Sequence, residues 1–486
     1  MKLLVIGGSA GGASTAARVR RLNEEAEITI FEKGRDVSFS NCPLPYYTGG
    51  VVESSEDLIM MFPEDFKAKH NIDVYTQTEV LKINRAEKTI TVKDLKNGET
   101  RNEAYDKLVL ATGTEPVMPG SIEGIHSPHV FTIRNVVDIE RLQAKLDEES
   151  TKNIAVVGGG FIGVEVAENL RKIGKEVTLI EGTKQILAPY DYDMVQILHK
   201  ELDDNGITLH VSATVTAIES KQVKAVKDGK EFTVAADAVV MAVGARPKTE
   251  LAKDAGLEIG TTGGIWVDHN YRTSDADIYA VGDAIESYNM LAHAPGRIAL
   301  AGPAQRQARA AADHICGMYN TNKGYIGSSC IKVFGQNAAC TGLNEREAKR
   351  LGYSYDSVMI FPMDRVGLMP GANYMVFKLV FEIPTGRILG AQAIGTGECD
   401  KRVDVIAAMI TMGGRLEDLK ELELCYAPPF STAKDVVNLA ALVALNVLNG
   451  RIKQVHVDKV RELVEQGAYI IDVRGAGELK TGHLKG

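Results

Sequence analysis

Cys42 carries the clearest chemical signature in this chain. It lies in Val37-Ser-Phe-Ser-Asn-Cys42-Pro-Leu-Pro-Tyr-Tyr47, with no second cysteine nearby in sequence. A redox thiol working alone alternates between the thiolate and a mixed disulfide, a persulfide or a sulfenic acid. It reacts as the thiolate, so a lowered pKa from a helix N-terminus or a nearby positive charge is expected. Pro43 and Pro45 suit the first turn of a helix that begins there. The other five cysteines, Cys316, Cys330, Cys340, Cys399 and Cys425, are spread thinly, without a C-x-x-C pair or a Cys/His cluster at metal-ligand spacing. They are expected to be small buried hydrophobes. Such usage suits a reducing, cytoplasmic setting better than a disulfide scaffold.

Two glycine-rich turns could cradle phosphates. Leu3 to Ile6 reads as a strand, Gly7-Gly8-Ser9-Ala10-Gly11-Gly12 as a turn, and Ala13 to Leu22 as a helix. Glu27 to Phe31 is a second strand that ends at Glu32. The plan repeats: strand Asn153 to Val157, Gly158-x-Gly160-x-x-Gly163, a helix through Ile173, strand Glu176 to Ile180, then Glu181. A turn of this kind brings backbone amides to a pyrophosphate at a helix N-terminus. The acid closing the second strand suits ribose hydroxyls. One such run alone could be a tight structural turn; two, each between a strand and a helix, form the dinucleotide fingerprint in its proper context. Glu181 would repel a 2′-phosphate, which favours NADH, although Lys184 leaves NADPH open.

The elements that must position these groups follow. Lys107 to Gly113 and Ala238 to Gly244 are strands ending in small turns, and Asp283 follows a strand and Gly282. From about Tyr325 strands dominate (Lys378 to Phe381, Arg387 to Ala393), then helices (Lys401 to Met412, Thr432 to Asn449). The 486 residues allow two to four domains, and 45% hydrophobic with 24% charged residues is ordinary for a globular chain. A net charge of -9 argues against nucleic acid as the main partner. The apolar run Leu439 to Leu448 is too short to span a membrane, and the N-terminal run reads as a strand rather than a signal peptide.

The order of first fingerprint, Ala111-Thr112-Gly113, second fingerprint, Ala245-Arg246-Pro247 and Val281-Gly282-Asp283 resembles the two-dinucleotide-binding flavoproteins, the pyridine nucleotide-disulfide oxidoreductases. The resemblance implies an α/β fold with two Rossmann-like domains and an α+β dimerisation domain. It divides the chain into an FAD-binding domain (1–115 and 246–322), an NAD(P)H-binding domain (116–245) and a dimerisation domain (323–450). It carries cofactor contacts onto Gly7, Ser9, Ala10, Gly11, Gly12, Glu32, Lys33, Val80, Ala111, Thr112, Gly113, Arg134, Gly158, Gly160, Ile162, Gly163, Glu181, Gly244, Gly282, Asp283 and Ala304. Residues 455–486, with Ile471-Asp472-Val473-Arg474 and Gly482-His483, resemble the start of a rhodanese-like domain that is incomplete here.

Most disulfide reductases of this kind pair two cysteines four residues apart, whereas position 47 here is Tyr47. The segment Ser38 to Tyr47 resembles the single-cysteine branch: coenzyme A disulfide reductases, persulfide and polysulfide reductases, NADH oxidases and peroxidases. The oxidase and peroxidase members have a histidine where this chain has Ala10, which disfavours oxygen or peroxide. Ser14, Arg18, Arg21, Ser38, Asn41 and Lys434 resemble coenzyme A contacts, and arginines suit its phosphates. A solvated basic helix face is the alternative for the arginines. Tyr426, in Tyr426-Ala-Pro-Pro-Phe430, resembles the tyrosine that a partner subunit brings to the thiol in a homodimer. A second family tyrosine is missing, because Leu368-Met369 precede Pro370-Gly371 and neither donates a proton. The expected activity is NAD(P)H-dependent, FAD-mediated reduction of a persulfide, polysulfide or CoA-linked sulfane sulfur at Cys42, helped by Tyr426. The alternatives are CoA disulfide reduction, an NADH oxidase or peroxidase, and a non-enzymatic redox partner protein.

Overall fold

In a computed structural model, which describes residues 1–482, three five-stranded sheets organise the chain. The first begins with β1 (Lys2–Ile6), α1 (Ala10–Leu22) and β2 (Glu27–Phe31). The short helix α2 (Leu44–Thr48) follows, then β3 (Asp73–Tyr75) and β4 (Lys107–Leu110). Leu3, Leu4 and Val5 are completely buried. Continuous apolar runs of this kind belong to parallel strands covered on both faces.

The second sheet repeats the design with β5 (Val130–Phe131), β6 (Asn153–Val157), α3 (Phe161–Lys172), β7 (Glu176–Ile180), β8 (Thr208–His210) and β9 (Ala238–Met241). Its order is β8-β7-β6-β9-β5, all parallel. The chain then returns to the first sheet through β10 (Ile278–Ala280) and α4 (Ala301–Ile315), which gives the order β10-β4-β1-β2-β3. In both sheets the glycine turn leaves the central strand, so each turn sits at the C-terminal edge where open α/β sheets bind ligands.

The third sheet is antiparallel: β11 (Ser328–Val333), β12 (Gln336–Gly342), β13 (Tyr355–Ile360), β14 (Met375–Glu382) and β15 (Ile388–Gly395), ordered β11-β12-β15-β14-β13. Helices α5 (Cys399–Met412) and α6 (Val436–Leu448) cover it. The expected α/β class with two dinucleotide folds and a mixed third unit is what the chain adopts. A buried lysine, Lys378 of β14, joins the third unit to the second: its Nζ meets Asp191 at 3.2 Å, Asp193 at 2.9 Å and Glu345 at 2.6 Å.

No helix among the described residues is long and apolar enough to cross a membrane. Residues 468–474, within the stretch that resembles a rhodanese opening, pair with no strand among the described residues, and Tyr469 and Val473 are exposed. His483 to Gly486 lie outside the described residues.

Candidate functional site: a thiol between two dinucleotide cradles

The two glycine turns are built alike. A Cβ on Gly7 would lie 2.3 Å from the Ala111 carbonyl oxygen, and one on Gly158 would lie 2.3 Å from that of Ala242. Both residues have positive φ, +97° and +110°. A Cβ on Gly12 or on Gly163 would come within 1.9 Å of the carbonyl oxygen that opens its own turn. Only glycine lets helix and strand approach so closely. The closing acids are also equivalent. Glu32 accepts from Gly8 N–H at 2.8 Å and from Gly34 N–H at 2.7 Å. Glu181 accepts from Gly159 N–H at 2.6 Å and from Thr183 N–H at 2.7 Å. Each turn is thus a bare backbone cradle with a carboxylate at its flank, which fits the pyrophosphate and ribose of a dinucleotide.

The other predicted cofactor positions are distributed around these cradles. Ala111, Thr112 and Gly113 follow β4, and Thr112 donates to the Lys248 carbonyl at 2.7 Å. Arg134 donates to the Thr114 carbonyl at 3.0 Å, and its guanidinium offsets the burial that pushes the Asp283 carboxyl upward. Gly282 donates to Gln307 at 2.8 Å, and Ala304 is buried in the first turn of α4. Lys33 pairs with Glu79, next to Val80 in the strand Thr78–Asn84. Ile162 is exposed on α3, and Gly244 has φ +112°. Lys184 lies over the Tyr192 ring, 4.8 Å from its centroid.

The cysteine loop hangs on the first turn. Ser38 donates its N–H to the Gly8 carbonyl at 2.8 Å, and Val37 fills the space that a Gly8 side chain would need. Pro43 caps α2 and Pro45 sits in its first turn, as their positions predict. Cys42 is accessible, and Asn41 beside it holds a buried Oδ1 with no hydrogen-bond partner among the described residues. The thiol pKa departs from expectation. Burial raises it, and the charges of Glu165 and Asp283 raise it further. A five-residue helix has too few aligned peptides for a large dipole, and the ionisable neighbours are acids.

Glu165 was not among the predicted residues. It stands on α3, where burial pushes its carboxyl up to about 7. Tyr46 donates to it at 3.3 Å and is itself pushed up to about 12 by burial and by that neighbour. The second glycine fingerprint runs on into Phe161-Ile-Gly-Val-Glu165, and a charge placed so early on a helix beside a cofactor turn was the available signal.

Arg18 does not lie free on a solvated face. Its Nε meets Asp313 of α4 at 2.7 Å, and both side chains are largely buried. Arg21, three residues on, is exposed. Ser14 bonds Gln305 across the same α1–α4 seam at 2.7 Å. In the third unit, Tyr426 and Phe430 are about half or more exposed, at 50% and 65%. Buried Arg402 holds their loop by donating to the Phe430 carbonyl at 3.1 Å, while Lys434 stays exposed. Leu368, where a tyrosine was looked for, is 89% exposed. All six cysteines are free. The expectation of five buried ones holds for Cys340 and Cys399 and fails for Cys330 and Cys425, which are exposed.

Comparison with known proteins places this geometry. Residues 1–308 match the family described as pyridine nucleotide-disulphide oxidoreductase, and residues 328–436 match its dimerisation domain. The chain is 34% identical over 439 residues to a coenzyme A disulfide reductase of Staphylococcus epidermidis, covering 90% of this chain and 98% of the relative. Among solved structures, reduced CoADR-RHD of Bacillus anthracis superposes with a TM-score of 0.96 at 43% identity, covering 100% of this chain and 87% of that one. An NAD-dependent persulfide reductase from A. fulgidus gives 0.91 at 37% identity, covering 94% and 85%.

Proposed function

Because this chain belongs to the pyridine nucleotide-disulphide oxidoreductase family and is a flavin-dependent disulfide or persulfide reductase, we propose that it reduces sulfane sulfur, as a persulfide, polysulfide or CoA-linked persulfide, at Cys42. The observation that carries this reading is an accessible Cys42 with no second cysteine in its loop, with Ala10 rather than a histidine in the first glycine turn and Leu368 in the place of a proton-donating tyrosine.

The enzyme uses FAD and a nicotinamide dinucleotide. Gly7, Gly11, Gly12, Glu32, Arg134 and Asp283 would hold the flavin dinucleotide, and Gly158, Gly160, Gly163 and Glu181 the nicotinamide dinucleotide. When bound, the flavin supplies a two-electron relay between nicotinamide and sulfur. NADH is favoured, because Glu181 presents a carboxylate and Lys184 is occupied over Tyr192. Cys42 attacks the sulfane sulfur. Asn41, with its unpartnered oxygen, and Ser38 orient the acceptor. Tyr426 donates a hydrogen bond to the leaving sulfur from a partner subunit, so a homodimer has two shared sites.

A second reading, CoA disulfide reduction, is supported by the activity named for the 34%-identical staphylococcal relative and by exposed Arg21. The test is anaerobic NADH consumption with CoA persulfide, polysulfide or CoA disulfide, for the parent and Cys42→Ser. Fast turnover with the sulfane-sulfur acceptors, lost in Cys42→Ser, is expected. Fastest turnover with CoA disulfide would hand the site to the second reading. Full activity in Cys42→Ser would refute the thiol mechanism.

A further inference from the structure

One buried arginine ties together two loops that the third unit exposes. The first, residues 365–372, lies between β13 and β14 and carries Leu368. The second, residues 425–434, runs up to α6 and carries Tyr426 and Phe430. Among the described residues neither loop forms a helix or a strand. Their tips are exposed and their bases are buried. Asp364 accepts from the Asn373 N–H at 3.0 Å and returns its own N–H to the Asn373 carbonyl at 2.9 Å, which closes the first loop. Ser431 is buried and donates to the Cys425 carbonyl at 3.2 Å, which closes the second.

Arg402 stands between these bases. It lies on α5, where Cys399, Val403, Ile406 and Ile410 are buried against the third sheet. Its Nη2 donates to the Asp364 carbonyl at 3.0 Å and to the Phe430 carbonyl at 3.1 Å. The same nitrogen lies 3.3 Å from a carboxylate oxygen of Asp435, the residue that caps α6. The start of α5 presses on the first loop as well, since a Cβ on Gly397 would lie 2.3 Å from Asp364 Oδ2.

Two details set this arrangement apart from an ordinary buried ion pair. A guanidinium placed for a carboxylate turns its fork onto both oxygens. Here the shorter bonds go to backbone carbonyls of two different loops. In addition, Arg402 Nε is buried with no hydrogen-bond partner among the described residues. An unpaired buried donor costs stability, and such departures from a satisfied core gather at functional positions.

We propose that Arg402 is a positioning residue: it joins the Leu368 loop and the Tyr426–Phe430 loop of one subunit into a single piece, and so sets the Tyr426 phenol against Cys42 of the partner subunit. The inference rests on the reading that Tyr426 serves the thiol of a second subunit. Arg402 acts through the backbone of the loops rather than on the acceptor. Pro428 and Pro429 restrict the chain between Tyr426 and Phe430, so holding the Phe430 carbonyl also limits where the phenol can point. Lysine at position 402 would keep a positive charge for Asp435. It would offer a point charge in place of a planar fork, and would not hold both carbonyls in the same geometry.

The test uses FAD-loaded dimers assembled from two differently tagged subunits, with anaerobic NADH consumption on whichever of polysulfide and CoA disulfide the parent reduces faster. The Arg402→Lys homodimer should turn over at least about tenfold more slowly, since a misplacement of about 1 Å can cost a hundredfold. Single-turnover flavin reduction by NADH, and KM for NADH, should stay within about twofold of the parent. A dimer of one Arg402→Lys subunit and one Cys42→Ser subunit should regain about half of the parent's turnover, because its one intact thiol faces intact loops. A mixed dimer as slow as the Arg402→Lys homodimer overturns the proposal, because the effect then lies within the subunit that carries the thiol. A fully active Arg402→Lys homodimer overturns it too. Gly397→Ala displaces Asp364 without touching the buried charge and should give the same pattern, which keeps the test decisive where Arg402→Lys does not fold. Tyr426→Phe in the same mixed dimers reads the premise separately. Recovery with Tyr426→Phe but not with Arg402→Lys sinks the proposal alone, whereas a fully active Tyr426→Phe homodimer sinks both.

Discussion

Glu165→Gln should stabilise the fold in alkaline solution and much less in acid. Burial raises the folded carboxyl from 4.5 to about 7. A group whose folded pKa is raised contributes its stability below the unfolded value and loses it as pH climbs through the folded value. The window is therefore about pH 4.5 to 7. Each unit is worth about 1.4 kcal/mol, so the ionised carboxylate costs the folded state about 3 kcal/mol at pH 8 and about 1 kcal/mol at pH 5. Glutamine keeps the shape and a hydrogen-bonding partner for Tyr46 without titrating. Urea unfolding at pH 5 and pH 8, with flavin saturating in both proteins, should show a higher midpoint for Glu165→Gln at both, with the gap at pH 5 about a third of that at pH 8. The same gap at both pH values would refute burial as the cause. A variant less stable than the parent at pH 8 would mean that the carboxylate has a compensating partner between α2 and α3.

Gly49→Ala should overpack the α2–α3 seam by about 1–3 kcal/mol and slow Cys42 alkylation, since the new Cβ meets Asn169. Adding Asn169→Ala should recover part of the loss, with a coupling of about 0.5–3 kcal/mol, and strict additivity in urea midpoints would deny the contact. Lys378→Met should cost about 3–5 kcal/mol by leaving buried Asp191 unpaired between the second and third units, read as a lower guanidinium midpoint at pH 7. The deficit should shrink as Asp191, already raised by burial, is protonated in acid. An unchanged midpoint would show that this lysine does not tie the units together.

The two parallel sheets were legible because local rules and the global fold agree in them. Leu3 to Ile6 and Asn153 to Val157 are apolar runs that only a strand buried on both faces can use, and each leads into glycines that tolerate the turn. The segment 468–474 shows the limit of that rule, because Ile470, Ile471 and Val473 read as a strand and find no neighbour among the described residues. A strand is a statement about pairing, and pairing is not written in seven residues. Cys330 was legible in principle: Ile331 and Val333 of edge strand β11 point inward, so Cys330 and Lys332 must point out. Composition alone called it a buried cysteine.

The chemistry around Cys42 was harder to read, for a different reason. Its loop and the prolines that start α2 are local, but its electrostatics come from distant parts of the chain. Glu165 arrives 123 positions later and Asp283 later still, both raising a thiol that the sequence suggested was lowered. Arg18 presents the same case: helical spacing sets it beside Arg21 as a phosphate-binding face, while the fold spends it on Asp313, 295 residues away. On α3, Glu165, Glu168, Asn169 and Lys172 form what reads as a solvated polar stripe at i, i+3, i+4 and i+7. The fold lays α2 and β11 over that stripe. Covering a polar face desolvates its carboxyls, and desolvation turns a surface glutamate into an acid that holds a proton at neutral pH. Which polar face will be covered depends on docking between units, so this part of the site had to be seen in three dimensions.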